Sequence, residues 1–246
     1  MVVKSKIKYI NSLGDKKLRD AERVFVAEGP KIINELLDDG SIKPKEIFAT
    51  RDWINNYHDA SEVTEVDDVM LSRLSFLTTP NQVVGIFHMP ELPPIHFKNK
   101  VTVVADGIQD PGNLGTIIRC ADWFGIDQVI CSTDTADIYN PKSVQASMGS
   151  VARVKVYYTD LVQVLTANEQ LYSLAAALDG KDIRDVPPLK EGLIIIGNES
   201  KGIRSNVLAL AKQRITIPGD GKAESLNAAI ATGIILSHLI PSRSRS

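Results

Sequence analysis

Along the chain, apolar positions fall into two alternating kinds of run. Short continuous runs such as "VTVVA" (residues 101–105) and "LIIIG" (193–197) have the pattern of parallel-sheet strands covered on both faces. Longer runs with apolar residues three and four apart read as helices. From residue 100 the order is "KVTVVAD" (strand), "NLGTIIRCADWFG" (helix), "DQVICS" (strand), "PKSVQASMG" (helix), "RVKVYY" (strand) and "DLVQVLTANE" (helix). It continues with "LYSLAAAL" and "LIIIGNE" (strands), "IRSNVLALA" (helix), "RITIP" (strand) and "SLNAAIATGIILSHLI" (helix). Helices between strands imply crossovers, hence an α/β fold with a parallel sheet. Upstream, "RVFVAEG", "KEIFAT" and "NQVVGIFHM" read as strands. "PKIINELLDD" reads as a helix opened by Pro30 and closed by Gly40. The proline-rich "MPELPPIHFKNK" separates the two regions. The expected organisation is a small α/β domain over 1–90, a linker over 91–99 and a larger α/β domain over 100–246, with a polar tail "PSRSRS" and no internal repeat.

Composition adds a few exclusions. The chain has 246 residues, 43% hydrophobic and 24% charged, the profile of an ordinary globular protein. No apolar run is long enough for a membrane span, and the basic N-terminus lacks the apolar core of a secretory signal, so a cytoplasmic location is expected. The two cysteines, Cys120 and Cys131, read as buried free thiols. Net charge is −2, but residues 1–31 hold eight Lys/Arg against four Asp/Glu, and residues 35–68 hold three against ten. That asymmetry fits either an unevenly solvated surface or one face that meets nucleic acid.

Common signatures are missing. The glycines near the first strand of the second region (Gly107, Gly112, Gly115) lack dinucleotide spacing, and there is no phosphate-loop lysine motif and no GxSxG elbow. His58, His88, His96 and His238 are scattered and form no metal pair. Three polar clusters remain, each after a strand, where open α/β sheets collect ligands. They are Asp106–Gly115 leading to Arg119, "GNESKG" (197–202), and "IPGDGKAESLN" (217–227).

In the first cluster Asn113 is placed to cap the helix, whose core face is Leu114, Ile117, Ile118 and Ala121. Arg119 lies about 140 degrees from Leu114 and points away from that face, as either a surface arginine or a cation aimed at a ligand. In the second, Gly197 lets backbone approach a ligand, and Glu199 is a loop carboxylate or a cap. In the third, Ser225 is placed as the cap of a nearly all-apolar helix. The small residues of that helix, Ala228, Ala229, Ala231 and Gly233, permit close packing.

Together the three clusters resemble the three motifs of the SpoU (TrmH) family of RNA ribose 2′-O-methyltransferases. "DPGNLGTIIRCADWFGID" is similar to the first motif, with Asn113 and Arg119. "IIIGNESKGI" is similar to the second, with Gly197, Asn198 and Glu199, and "ITIPGDGKAESLNAAIATGI" to the third, with Ser225, Leu226 and Asn227. Upstream, "SLGDKKLRDAERVFVAEGPKIINELL" resembles the family's RNA substrate-binding domain, a ribosomal-protein-like α/β unit.

The resemblance implies a C-terminal trefoil-knot α/β domain that binds S-adenosylmethionine through Ile196, Gly197, Asn198, Ile217 and Leu226. It implies no metal. It assigns the 2′-hydroxyl chemistry to Arg119, with Asn113, Glu199, Ser225 and Asn227 orienting it. An arginine with a pKa above about 12 is a poor base. The preferred role is therefore to hold the target phosphate, with the proton going either to a phosphate oxygen or to Arg119 itself. The resemblance also implies a homodimer, with Trp123 and Phe124 as candidate contacts, and RNA contacts at Lys4, Lys6, Lys8, Lys16, Lys17, Arg19 and Arg23. Ribosomal RNA is favoured over transfer RNA. The alternatives are a tRNA methyltransferase, or an RNA-binding or resistance factor whose catalysis is secondary. Ala228 stands where the family often has valine, and the polar loop 219–224 leaves donor affinity open.

Overall fold

The computed structural model describes residues 4–57 and 63–241. His58 and most of the tail, 242–246, lie outside the described residues. The chain forms two compact units: the residues up to Glu91 with Asp137–Ala152, and Leu92–Ala136 with Arg153 onward.

The first unit runs α1 (Lys4–Ser12), α2 (Lys16–Glu22), β1 (Val24–Glu28), α3 (Pro30–Asp39), β2 (Pro44–Ala49), α4 (Arg51–Asn56), β3 (Val63–Glu65), α5 (Asp68–Leu74) and β4 (Val83–His88). Its sheet order is β1-β4-β2-β3; β4 is antiparallel to both neighbours, and β2 and β3 are parallel. The core includes Ile10, Leu13, Val24, Val26, Phe48, Leu71, Leu74, Val84 and Ile86. As expected, Pro30 opens α3, and Gly40 closes it with a left-handed φ of 69° that costs a glycine little. The sequence pattern did not reveal α1, α2, α4, β3 or α5. They are short, and α1 buries only Ile10 completely, so tertiary contacts rather than periodicity make it a helix.

The second unit begins with β5 (Val101–Asp106), α6 (Pro111–Trp123) and β6 (Gln128–Ser132). The segment 137–152, with α7 (Pro141–Ser147), then packs with the first unit, although the linear reading placed it in the second. Two contacts explain this: the Asp137 carboxylate accepts from the buried Arg19 at 2.6 Å, and the Tyr139 ring lies 4.9 Å from that of Phe25. The chain returns through β7 (Lys155–Thr159), α8 (Leu161–Ala167), β8 (Ser173–Asp182), β9 (Gly192–Gly197), α9 (Ser205–Leu208), β10 (Gln213–Thr216) and α10 (Ala228–Leu239). The sheet order is β10-β8-β9-β5-β6-β7, and every pairing is parallel.

Alternation along the strands sorts the faces. Val104, Ile130 and Ile195 pack with Leu161 and Leu165 of α8 and Val207 of α9. On the other side α6 packs against β6, α10 against β9, and the two helices against each other. Each fully buried aliphatic side chain contributes about 1.5–3 kcal/mol. The pairing of β8 with β10 slips, from Ala175↔Arg214 to Lys181↔Ile215. At the slip, a Cβ on Gly180 would lie 2.4 Å from the Ile215 backbone, so only glycine fits. Residues 89–100 form neither helix nor strand.

Candidate functional site

The site grows from the ends of β5 and β9, neighbours at the centre of the second unit's sheet. After β5 the chain turns at Gly107, whose φ is +67°, and enters α6. The N-cap of α6 is Asp110, which accepts the Asn113 backbone N–H at 2.9 Å, and Pro111 takes the first turn. Asn113 is therefore not the cap the sequence suggested. It sits inside the first turn, with its side-chain amide free for other partners.

Those partners come from the other two clusters. The Asn113 Nδ2 donates to Glu199 Oε1, and its Oδ1 accepts from Asn227 Nδ2 at 2.9 Å. Asn227 in turn caps α10, with its Oδ1 accepting the N–H groups of Ala229 (2.9 Å) and Ile230 (3.2 Å). The expected cap, Ser225, is exposed and makes no such bond, because α10 begins only at Ala228.

The polarity of this relay is fixed from one end. An ionised Glu199 only accepts, so the Asn113 nitrogen must face it. The Asn113 oxygen must then accept from Asn227, whose own oxygen is left for the helix.

A second set of bonds shapes the loop after β9. Asn198 donates from Nδ2 to the Gly107 carbonyl at 2.9 Å and accepts from the Ser200 and Lys201 N–H groups. Its backbone pairs both ways with Gly202. A Cβ on Gly197 would lie 2.4 Å from the Gly202 carbonyl carbon and the Ile203 nitrogen, so two backbone segments cross with no room for a side chain. Ile196 is buried, Ile217 half-buried, and Leu226 remains 45% exposed. Among the described residues the backbone of 217–226 makes no cap, turn or ladder hydrogen bond, which leaves its donors and acceptors open to a ligand.

The sequence reading opened the first cluster at Asp106 without giving it a role, and missed its partner Arg204. Asp106 is 1% exposed and accepts from Arg204 N at 2.8 Å and Arg204 Nε at 2.7 Å, which ties the end of β5 to the chain after the second loop. The hydrogen bond to Asp106 pushes the Arg204 guanidinium above its ordinary value. An aspartate closing an apolar strand was the available signal.

Arg119 is exposed as expected, and among the described residues it has no hydrogen bond or ion pair. Thr116, Arg119 and Trp123 form one stripe of α6 at i, i+3, i+7 spacing, all exposed. Ile230 (56%) and Ile234 (40%) are exposed on the neighbouring α10, Trp123 is 70% exposed, and Phe124 is half-buried. Where the helices meet, a Cβ on Gly233 would be 3.6 Å from Cys120 Sγ. Cys120 is half-buried rather than buried, whereas burial pushes the Cys131 thiol far above its usual range.

In the first unit Lys4, Lys8, Lys16, Lys17 and Arg23 are exposed, and Lys6 is half-buried and paired with Glu46. Arg19 departs from the expected RNA-facing role. It is 1% exposed and its guanidinium is engaged by Asp137 and by the carbonyls of Leu13 and Gly14. Among the described residues no group of His, Cys, Asp and Glu is gathered for a metal, and no helix is long and apolar enough to cross a membrane.

A parallel α/β sheet whose strand-end loops are joined through one asparagine side chain places this chain among the α/β proteins that bind ligands at the carboxyl ends of their strands. The chain belongs to the SpoU rRNA methylase family, whose model matches residues 100–237, and an MRM3-like substrate binding domain matches residues 4–85. It is 33% identical over 242 residues to the 23S rRNA (guanosine(2553)-2'-O)-methyltransferase RlmP of Bacillus subtilis, with 95% of each chain covered. A TrmH-family protein from Porphyromonas gingivalis superposes with a TM-score of 0.86 at 35% identity, covering 100% of both chains. An AdoMet-bound rRNA methyltransferase from Sinorhizobium meliloti does so at 0.85 and 31%, covering 97% and 96%. The fold class is α/β: a C-terminal trefoil-knot domain built on a parallel sheet, with a smaller N-terminal α/β domain.

Proposed function

We propose that this chain transfers the methyl group of S-adenosylmethionine to a ribose 2′-hydroxyl of ribosomal RNA. The observation that carries the reading is the Asn113 side chain, bonded at once to Glu199 of the second loop and Asn227 of the third. The residues present fit the donor: a glycine-only backbone crossing at Gly197, the buried Ile196, the open backbone of 217–226 and the exposed Leu226 suit a flat heterocycle bound by main-chain groups. When bound, the donor supplies an electrophilic sulfonium methyl.

The protein's own part is positioning and electrostatics. Ile196, Gly197, Asn198, Ile217 and Leu226 form the donor site. Glu199, Asn113 and Asn227 hold the loops in register, and Ser225, which has no hydrogen-bond partner among the described residues, is available to the ribose. Arg119 grips the phosphate next to the target ribose. It lowers the cost of negative charge on the attacking oxygen, while a phosphate oxygen takes the proton. Lys16, Lys17 and Arg23 meet the RNA backbone.

The reading extends to a cytoplasmic homodimer in which Trp123, Ile230 and Ile234, beside Arg119, are covered by a second copy. The exposure of these three large apolar side chains on the packed helices α6 and α10 supports this, and sedimentation of the native chain and of Trp123→Glu tests it.

The deciding experiment is transfer of labelled methyl to ribosomal RNA and, in parallel, to transfer RNA, with calorimetric titration of the donor. Arg119→Ala is expected to abolish transfer while leaving donor affinity within about threefold, since an exposed side chain with no hydrogen bond or ion pair among the described residues shapes no loop. Equal loss of both refutes the role, and transfer to tRNA alone refutes the substrate.

A further inference from the structure

The first unit holds a cavity of 320 Å³ lined by residues outside the three motifs, within the size range of small-ligand sites. Its walls are Phe76, Leu77 and Pro141, and its polar groups are Glu28, Thr78 and Gln145. Glu28, at the end of β1, is only 4% exposed. Its carboxylate accepts from the Ser75 hydroxyl and, at 2.8 Å, from the Phe76 backbone N–H. Burying a carboxylate is costly, and these bonds, one to each oxygen, offset part of that cost while they tie the 75–77 segment to the end of β1.

We propose that this cavity is a nucleobase subsite that holds a guanine of the RNA substrate. The apolar walls suit the faces of a planar ring, and Lys142 at the rim suits the attached phosphate. The carboxylate selects the base. Two of its roughly four lone-pair directions are taken by Ser75 and Phe76, and the rest require donors. Guanine alone presents two adjacent donors, N1–H and N2–H, that match the two oxygens. Uracil offers one donor between two acceptors, while adenine and cytosine set an acceptor beside their amino group. Thr78 or Gln145 then donates to guanine O6. Burial raises the Glu28 carboxyl above its ordinary value, and the hydrogen bonds from Ser75 and Phe76 reduce that rise.

The inference rests on the reading of the chain as RNA-binding, so the test reads the two separately. The full chain is titrated with oligouridine, with oligouridine carrying one central guanosine, and with inosine or adenosine at that position. Affinity is read by fluorescence anisotropy and location by amide shifts of Phe76 and Leu77. The guanosine strand is expected to bind at least about tenfold tighter than oligouridine and to move those amides. Inosine, which lacks the N2 donors, should lose part of the gain and adenosine all of it. Glu28→Gln should abolish the preference. Because that change also touches Ser75 and Phe76, Thr78→Val at the exposed rim provides a second variant and should weaken the preference without altering the melting temperature. Equal affinity for all strands, a preference for adenosine, shifts elsewhere, or a preference intact in both variants overturns the subsite. If guanosine selectivity is absent while methyl transfer to ribosomal RNA persists, the subsite alone is refuted. If no strand binds at all, the RNA reading is refuted with it.

Discussion

Replacing Asn113 tests whether the three loops act as one unit. Asn113→Ala removes a hydrogen bond to a charged acceptor, worth about 1.5–3 kcal/mol, and a neutral one, worth about 0.5–1.5 kcal/mol. The side chain is half-buried, so water recovers part of this, and about 2–3 kcal/mol is expected. If the loss falls on the assembled site, kcat/KM for methyl transfer drops about 30- to 150-fold.

Asn113→Asp is sharper. It sets a carboxylate against Glu199 where the relay needs a donor, so it should be worse than alanine. The assay is initial-rate transfer, with double-mutant cycles linking Asn113 to Glu199 and to Asn227. Coupling of about 1–2 kcal/mol is expected in each. Coupling below about 0.5 kcal/mol in both cycles, or an aspartate variant as active as alanine or more so, refutes the relay.

Four further substitutions probe the ion pairs, the buried carboxylates and the exposed basic surface. Arg19→Met should destabilise the chain by about 3–5 kcal/mol in urea unfolding, because Asp137 and two carbonyls lose their donor. Lys17→Ala should instead leave stability alone and reduce the salt dependence of RNA affinity by about one phosphate contact. Asp106→Ala should cost about 3 kcal/mol and lower the melting temperature by several degrees, because it releases Arg204 and the second loop. For Glu28 the folded pKa is raised by burial above the ordinary 4.5. Its contribution is therefore full below about pH 4.5 and is lost as pH rises through the higher folded value. Consequently the stability of the native chain minus that of Glu28→Gln should fall with pH across that window, and a difference independent of pH would refute the assignment.

Much of the second unit was legible because its strands are continuous apolar runs and its helices carry their caps nearby. Leu114, Ile117, Ile118 and Ala121 are all buried and Arg119 is exposed, as the 3.6-residue period requires. Two caps were misplaced, each because a second residue of capping type stood two or three positions from the true cap. Asp110 outcompetes Asn113 at α6, and Asn227 outcompetes Ser225 at α10. Arg19 could not have been told from its surface neighbours. Its partner Asp137 lies far along the chain, and only the fold brings the two together.

The joining of the loops was likewise beyond local pattern, and strand order shows why. β5 and β9 are adjacent, so their loops meet directly, as the Asn198 bond to Gly107 shows. β10 lies at the sheet edge, three strand spacings from β5, or roughly 15 Å at about 4.8 Å each. The third loop cannot reach Asn113 from there without a return path. Residues 217–226 supply it: extended, they span up to roughly 33 Å. They deliver Asn227 to the start of α10, which lies back against α6. The long polar loop is therefore a geometric requirement of placing the third motif beside the first, and its lack of internal hydrogen bonds is what leaves main-chain groups available there for a bound ligand.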